Sequence, residues 1–401
     1  MEAGIARRPA IVLTPRLPWP LDDGGRIASW QTLWAAAQEC DVTLLTFVPA
    51  GTETAPLPSA LVDLGITVGR VAHHPLPLPL AAAAGLFGRR PYTLARYWSA
   101  AFAAMLRERV AVLTPSYVLA NHLHMASYVE AIGDTPMVLR QHNVEHLWME
   151  RYARERGFTP AGLYARSQAA RLKRAEAFLC RAAALTLAIQ EGEAAILRAL
   201  APEARVATLP VGIDLSRYPP RRQSEPPVLL LAASFSWPPN VEGALRFLAE
   251  GWPRVRAGAP EARLRLAGKS PPASLIRAAV RAGAEVAADV PSMPEEFACA
   301  TLLLVPLWLG AGARVKIVEA LAARLPVVAT PFACDGLGLT PGVHYLEGET
   351  AAELADRALA LLRDPARGDA PARAGRVLAE ERWSLPAVAR LQNELVAQVA
   401  R

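Results

Sequence analysis

The stretch from Pro306 to Thr330, PLWLGAGARVKIVEALAARLPVVAT, decides how this chain folds. It closes an apolar run, TLLLVPL, that reads as a buried strand. Gly310, Ala311, Gly312 and Ala313 form a small-residue turn. A helical run follows, with Arg314, Lys316 and Glu319 in its first turns, and PVVAT reads as the next strand. Strand, turn, helix and strand in this order imply a parallel sheet covered by helices. The turn also has chemistry. The first N–H groups of a helix lack intrahelical partners, and the helix dipole adds partial positive charge there. Small residues let an anion approach those amides, and Arg314 and Lys316 add formal cations. The combination suits a diphosphate, with Glu319 placed deeper, where ribose hydroxyls would reach it. A tight turn leading into an ordinary surface helix is the competing reading.

The same rhythm extends in both directions. AIVLTP, the turn-rich RLPWPLDDGG, the helical RIASWQTLWAAAQE and the strand DVTLLTFV open the chain. In that helix Ile27, Trp30, Leu33, Trp34 and Ala37 share a face. RVAVLTP and TPMVLRQHNVE continue the pattern. A long basic helical stretch, Arg151 to Arg181, then reads as a solvated face or as a surface for anionic lipid or acceptor. A Pro/Arg-rich linker within Ala204–Pro227 precedes a second α/β series: VLLLAAS, a helix from about Val241 to Trp252, ARLRLAG, a helix near Ala273 to Arg281, EVAADV, and a short helix around Pro294 to Ala300. The expected architecture is α/β, with two Rossmann-like domains facing across a cleft. Residues 1–207 form the first, residues 208–380 the second, and residues 381–401 a helix packing back on the first. Ligands of open α/β sheets bind beyond the carboxyl ends of the strands. Asp22–Gly25 and Gly310–Ala313 are both placed there.

Bulk properties exclude several classes. At 401 residues, 52% hydrophobic and 20% charged, the chain is globular and long enough for two domains. A net charge of +6 does not by itself imply nucleic acid. The apolar stretch Pro75–Gly88 is too short and proline-rich to span a bilayer, and the N-terminus lacks a signal-peptide layout, so a cytoplasmic protein is expected. Cys40, Cys180, Cys299 and Cys334 show no paired metal spacing and read as small buried hydrophobes. Lys173, Lys269 and Lys316 stand among many arginines. Lys269 follows a strand and is a natural partner for a pyrophosphate. In AASFSWPPNVEG, Ser234 or Ser236 would donate to phosphate and Asn240 would cap the next helix.

These residues carry a family resemblance. LLLAASFSWPPNVEGALRFL, RLRLAGKSP, GIDLSRYPP and the Pro306–Thr330 stretch resemble the donor half of GT-B glycosyltransferases of the large retaining family 4. PRLPWPLDDGGRIASWQ and LRQHNVEHLWMERYAR are similar to the acceptor half. The resemblance implies transfer of a sugar from a nucleotide-diphosphate donor with retention of anomeric configuration. It implies that Arg314 and Lys316 neutralise the diphosphate, with Lys269 as a further cation. Glu319 would hold the ribose, and Gly310, Gly312 and Ser236 would line the donor. Gly24 and Gly25 would let a loop approach donor phosphate and acceptor, with Asp23 and Arg26 at the rim. His142 matches the family histidine near the transferred sugar and would stabilise transition-state charge. His122 and His124 match a second loop, a metal pair being their alternative. Many members carry two glutamates with seven residues between them; here the second is Glu319 and the first position is Ala311, which puts the sugar's identity in doubt.

No aspartates have Asp-x-Asp spacing, so the reading is metal-independent and needs no cofactor beyond the donor. The mix of apolar residues and arginines from His73 to Ala100 suits a glycan or lipid-linked acceptor and an inner-membrane surface. A nucleotide-sugar epimerase would want acid/base carboxylates where the N-terminal loops supply mainly histidines. A degenerate scaffold without activity is the third alternative. The absence of a G-x-G-x-x-G turn argues against a dinucleotide oxidoreductase.

Overall fold

A computed structural model describes residues 7–21, 24–74, 77–219, 224–309 and 314–401. The chain divides into two compact units, Met1–Val211 with Val388–Arg401, and Gly212–Ala387.

The first unit is built on seven parallel strands: β1 (Arg8–Thr14), β2 (Cys40–Pro49), β3 (Thr67–His73), β4 (Val118–Asn121), β5 (Met137–Arg140), β6 (Leu185–Ala188) and β7 (Val206–Thr208). Their spatial order is β3-β2-β1-β4-β5-β6-β7. Side chains alternate between faces along a strand. Ile11 and Leu13 enter one core with Phe47, Phe102 and Leu139, whereas Ala10 and Val12 enter the other with Leu44, Leu119 and Leu187. Both faces are apolar, as a sheet covered by helices on each side requires.

Helix α1 (Gly24–Glu39) departs from the expected one-sided pattern. Leu33 and Ala37 are buried, but so are Ser29, Gln31 and Thr32, while Ile27, Trp30 and Trp34 are half-buried. The reason is the chain's last helix, which from Val388 onward belongs to this unit: the Gln392 side-chain amide donates to the Thr32 carbonyl at 2.9 Å, and that of Asn393 to Ala35 at 3.1 Å. The apolar α2 (Leu78–Phe87) follows β3. The basic stretch is two helices, α3 (Glu145–Arg156) and α4 (Pro160–Ala182), broken at Gly157, whose φ of 59° favours glycine. Helix α5 (Glu191–Leu200) follows β6.

In the second unit, β8 (Val228–Ala232), β9 (Arg263–Gly268), β10 (Glu285–Ala288), β11 (Leu302–Val305), β12 (Val327–Ala329) and β13 (Leu346–Glu347) lie in the order β10-β9-β8-β11-β12-β13. Helix α6 (Pro238–Arg246) begins earlier than the sequence suggested, because proline is tolerated in a helix's first turn. Helix α7 (Val315–Ala322) packs Ile317 and Leu321 on one side of the sheet, and Ala244 of α6 packs on the other. Both units therefore have Rossmann-like sheets in which strand order reverses at one point, between β1 and β4 and between β8 and β11. Cys180 and Cys334 are buried as expected; Cys299 is exposed and Cys40 intermediate, which corrects the uniform reading of the cysteines.

Candidate functional site

In the second unit the functional side chains gather at the reversal between β8 and β11. Helices α6 and α7 lie on opposite faces, and their first turns meet over the strand ends. Contact there is close: a Cβ at Gly243 would lie 1.9 Å from the Pro306 carbonyl oxygen. Only a glycine lets α6 approach so near. Lys316 Nζ donates to Asn240 Oδ1 at 2.9 Å, and Asn240 Nδ2 donates to the Ser234 carbonyl at 2.8 Å. Asn240 thus ties the lysine to the β8 loop. It does not cap α6, whose N-cap is Trp237. Ser234 and Ser236 place their hydroxyls 2.8 Å apart.

Burial sets the electrostatics. It pushes the Lys316 ammonium down to about 8, with Arg314 adding repulsion and Glu319 opposing. Arg314 is the N-cap residue of α7, its guanidinium carbon 5.2 Å from the Phe332 ring centroid, and burial lowers its pKa too. Two crowded cations at a helix start favour an arriving anion. Burial lifts the Glu319 carboxyl above its usual range, against the Tyr218 hydroxyl, which donates to Glu319 Oε1 at 2.8 Å. Lys269 follows β9 at an exposed position, its carbonyl accepting from Phe235 N–H at 2.8 Å. A cavity of about 720 Å³ beside α6 includes Phe235, Ser236 and Arg246 in its wall. Gly310 and Gly312 lie outside the described residues, as do Ala311 and Asp23.

In the first unit Gly24 and Gly25 open α1, and Arg26 follows them half-buried. His122 leaves β4 at a φ of 72°, rare for a residue with a side chain. His142 follows β5 and is buried. The structure brings these two together: their ring centroids are 3.7 Å apart, and His124 continues the stack 5.1 Å from His122 and 4.1 Å from Tyr97. Burial first, then neighbouring positive groups, holds the pKa of His142 well below its ordinary value, so the ring is neutral. Among the described residues no group of three or more His, Cys, Asp or Glu is arranged to hold a metal.

Sequence reasoning missed a buried polar cluster beside His142. Arg140 is 1% exposed and donates to the Ala188, Leu209 and Pro210 carbonyls; burial lowers its pKa to about 9. Glu145 and Glu193 are both lifted to about 7, by burial above all and by the charge of Glu176. Glu176 meets the start of α3. The only signal was LRQHNVE, in which a basic residue ends a strand and an acid opens a helix.

The chain's relatives agree with this architecture. Residues 226–364 match the family model described as "Glycosyl transferases group 1". No curated protein matches the sequence. The fold is similar to that of Anabaena HepE in complex with UDP and glucose, at 14% identity, TM-score 0.66, and coverage of 98% of this chain and 100% of that one. It is also similar to sucrose-phosphate synthase from Thermosynechococcus elongatus (16% identity, TM-score 0.68, 98% and 99% covered). A third similar structure is WaaG, a glycosyltransferase involved in lipopolysaccharide biosynthesis (16% identity, TM-score 0.59, 97% and 99% covered). At these identities the likeness is one of fold.

Proposed function

We propose that this chain, whose residues 226–364 match the group 1 glycosyltransferase model and whose fold is similar to those of HepE and WaaG, is a GT-B glycosyltransferase, retaining and metal-independent. It moves a sugar, a hexose in our reading, from a nucleotide-diphosphate donor to a glycan or lipid-linked acceptor. One observation carries the reading: Lys316, half-buried and tied to Asn240, stands with Arg314 where β8 and β11 part. As the donor's glycosidic bond breaks, negative charge grows on the diphosphate. Lys316, Arg314 and the α7 amides neutralise it, and one preorganised contact of this kind is worth about 3 kcal/mol. Glu319, held through one oxygen by Tyr218, takes the ribose. His142, kept neutral, offers a ring nitrogen to the transferred sugar and does not act as a strong base. HepE has been seen with UDP and with UDP-glucose, which makes UDP the first nucleotide to try.

The test is a donor panel of UDP-, GDP-, ADP- and dTDP-sugars, with products followed by NMR. Release of nucleoside diphosphate with the anomeric configuration kept supports the reading; inversion, or no turnover with any donor, sinks it. One observation favours a second reading. Glu145 and Glu193, poised near 7, have the acid/base character an epimerase needs. The epimer in the product spectrum distinguishes it.

The acceptor reading has its own support in α2. Leu80, Leu86 and Phe87 are exposed on it, Phe87 at 90%, with Arg89 exposed just beyond. Arg171 of α4 donates to the Leu86 and Gly88 carbonyls, and Phe158 and Phe178 are exposed as well. Apolar rings among arginines suit the surface of an anionic bilayer, where a lipid-linked acceptor would be met. No helix among the described residues is long and apolar enough to cross a membrane.

A further inference from the structure

Glu176 lies inside α4 and is 0% exposed. A carboxylate removed from water needs partners that replace its hydration. Among the described residues, its hydrogen-bond partners all belong to the first turn of α3: the backbone N–H of Glu145 at 3.1 Å, that of His146 at 3.4 Å, and His146 Nδ1 at 2.5 Å. The helix needs this help. Its N-cap is Val144, which has no side chain able to accept a hydrogen bond, whereas α4 is capped by its own Thr159. An acid at a helix start also complements the dipole. A Ser or Asp at position 144 would cap the helix locally. It would not fix where α3 begins relative to anything else. Glu176, 31 residues from Glu145, does fix it, against α4.

What depends on that starting point is the short segment from Gln141 to Val144, which joins β5 to α3 and carries His142. It is held at one end by β5, where Arg140 is fastened to three carbonyls, and at the other by Glu176. Its side chain in between is held by stacking: His142 rests on His122, with no hydrogen-bond partner for Nε2. With Nε2 buried and anchored to nothing, the ring's position follows its backbone. We propose that Glu176 is a positioning residue, which, by pinning the first turn of α3, sets where the His142 imidazole presents itself to the sugar. The proposal rests on the role given to His142 above.

The test uses the full-length protein with 15N-histidine labelling and compares Glu176→Gln, Glu176→Asp and a control, Thr159→Ala, which removes the cap of α4 and touches nothing near His142. Glutamine keeps the size of Glu176 but turns a donor group toward the α3 amides. The imidazole 15N signals of His142 are expected to move in Glu176→Gln, and kcat to fall by roughly tenfold or more with donor KM changed by less than about threefold, since small misplacements act on turnover. Glu176→Asp is expected to recover part of both. Thr159→Ala is expected to lower Tm while leaving the His142 signals and kcat in place. Unmoved His142 signals in Glu176→Gln, a kcat loss matched by Thr159→Ala at equal Tm, or failure of both Glu176 variants to fold would overturn the proposal. If the wild-type protein turns over no donor, the transferase reading fails, while the imidazole signals still decide whether Glu176 positions His142.

Discussion

Lys316 is a charge kept where charge is disfavoured. Above pH 8 the empty site holds it increasingly as the neutral amine. A bound diphosphate restores the proton, so affinity for a nucleoside diphosphate is expected to be flat below that pH. Above it, affinity should weaken by up to about tenfold per unit, a slope calorimetry across pH 6–10 would measure. Affinity that stays flat to pH 10 would rule the lysine out as the diphosphate's partner. Glu145 gives a prediction of opposite kind. Its pKa rises from 4.5 to about 7 on folding, so between those values the folded state binds more protons than the unfolded. Its contribution to stability is complete below pH 4.5 and lost as pH rises through 7. Glu145→Gln removes that loss. Its Tm is expected to exceed the wild-type Tm by more at pH 8 than at pH 4.5, and a constant difference across the range would contradict this.

At the scale of elements, α6 is placed by an absence of side chain. Gly243→Ala would drive a methyl group into the Pro306 carbonyl. Overpacking of this sort typically costs about 1–3 kcal/mol, and denaturant titration is expected to show at least that; an unchanged midpoint would mean α6 is free to shift. Helix α2 is expected to matter outside the fold. Replacing Leu86 and Phe87 by serine should leave Tm within a few degrees, since both side chains are exposed, yet reduce flotation with phosphatidylglycerol vesicles. Equal flotation of variant and wild type would remove α2 as the contact. Much at this scale was legible. Strands alternating with helices and Lys316 at a strand's outlet both follow from local pattern. Glu176 did not, because one acid in a basic helix reads as a solvated charge, and its partners are 31 and 30 residues away. Asn240 was misread for the same reason: its lysine lies 76 residues on. The face of α1 was misjudged because the helix that covers it comes from the far end of the chain.

For the whole molecule, sequence pattern established two parallel sheets but not their strand order. Order depends on which apolar strands pair, and the central strands of each sheet are apolar on both faces. The structure supplies the reversal points, and these bring together side chains that periodicity left scattered. The division of labour is then testable. His142→Ala is expected to lower turnover with nucleotide affinity unchanged, because His142 belongs to the unit that lacks Lys316. Lys316→Ala is expected to lower both.

In the proposed mechanism, cations at the β8–β11 outlet, not a divalent ion, hold the leaving diphosphate. A thermal-shift screen of UDP, GDP, ADP and dTDP selects the nucleotide; at a hundredfold excess over Kd the right one adds about 2.7 kcal/mol of stability. Calorimetric titration of that nucleotide in EDTA, against wild type and Lys316→Ala, is the direct measurement. The expected result is tight binding to wild type without metal, and binding weakened by about 1.5–3 kcal/mol, roughly ten- to a hundredfold, in the variant. Equal affinity for the two proteins, or binding that appears only when magnesium is restored, would contradict it.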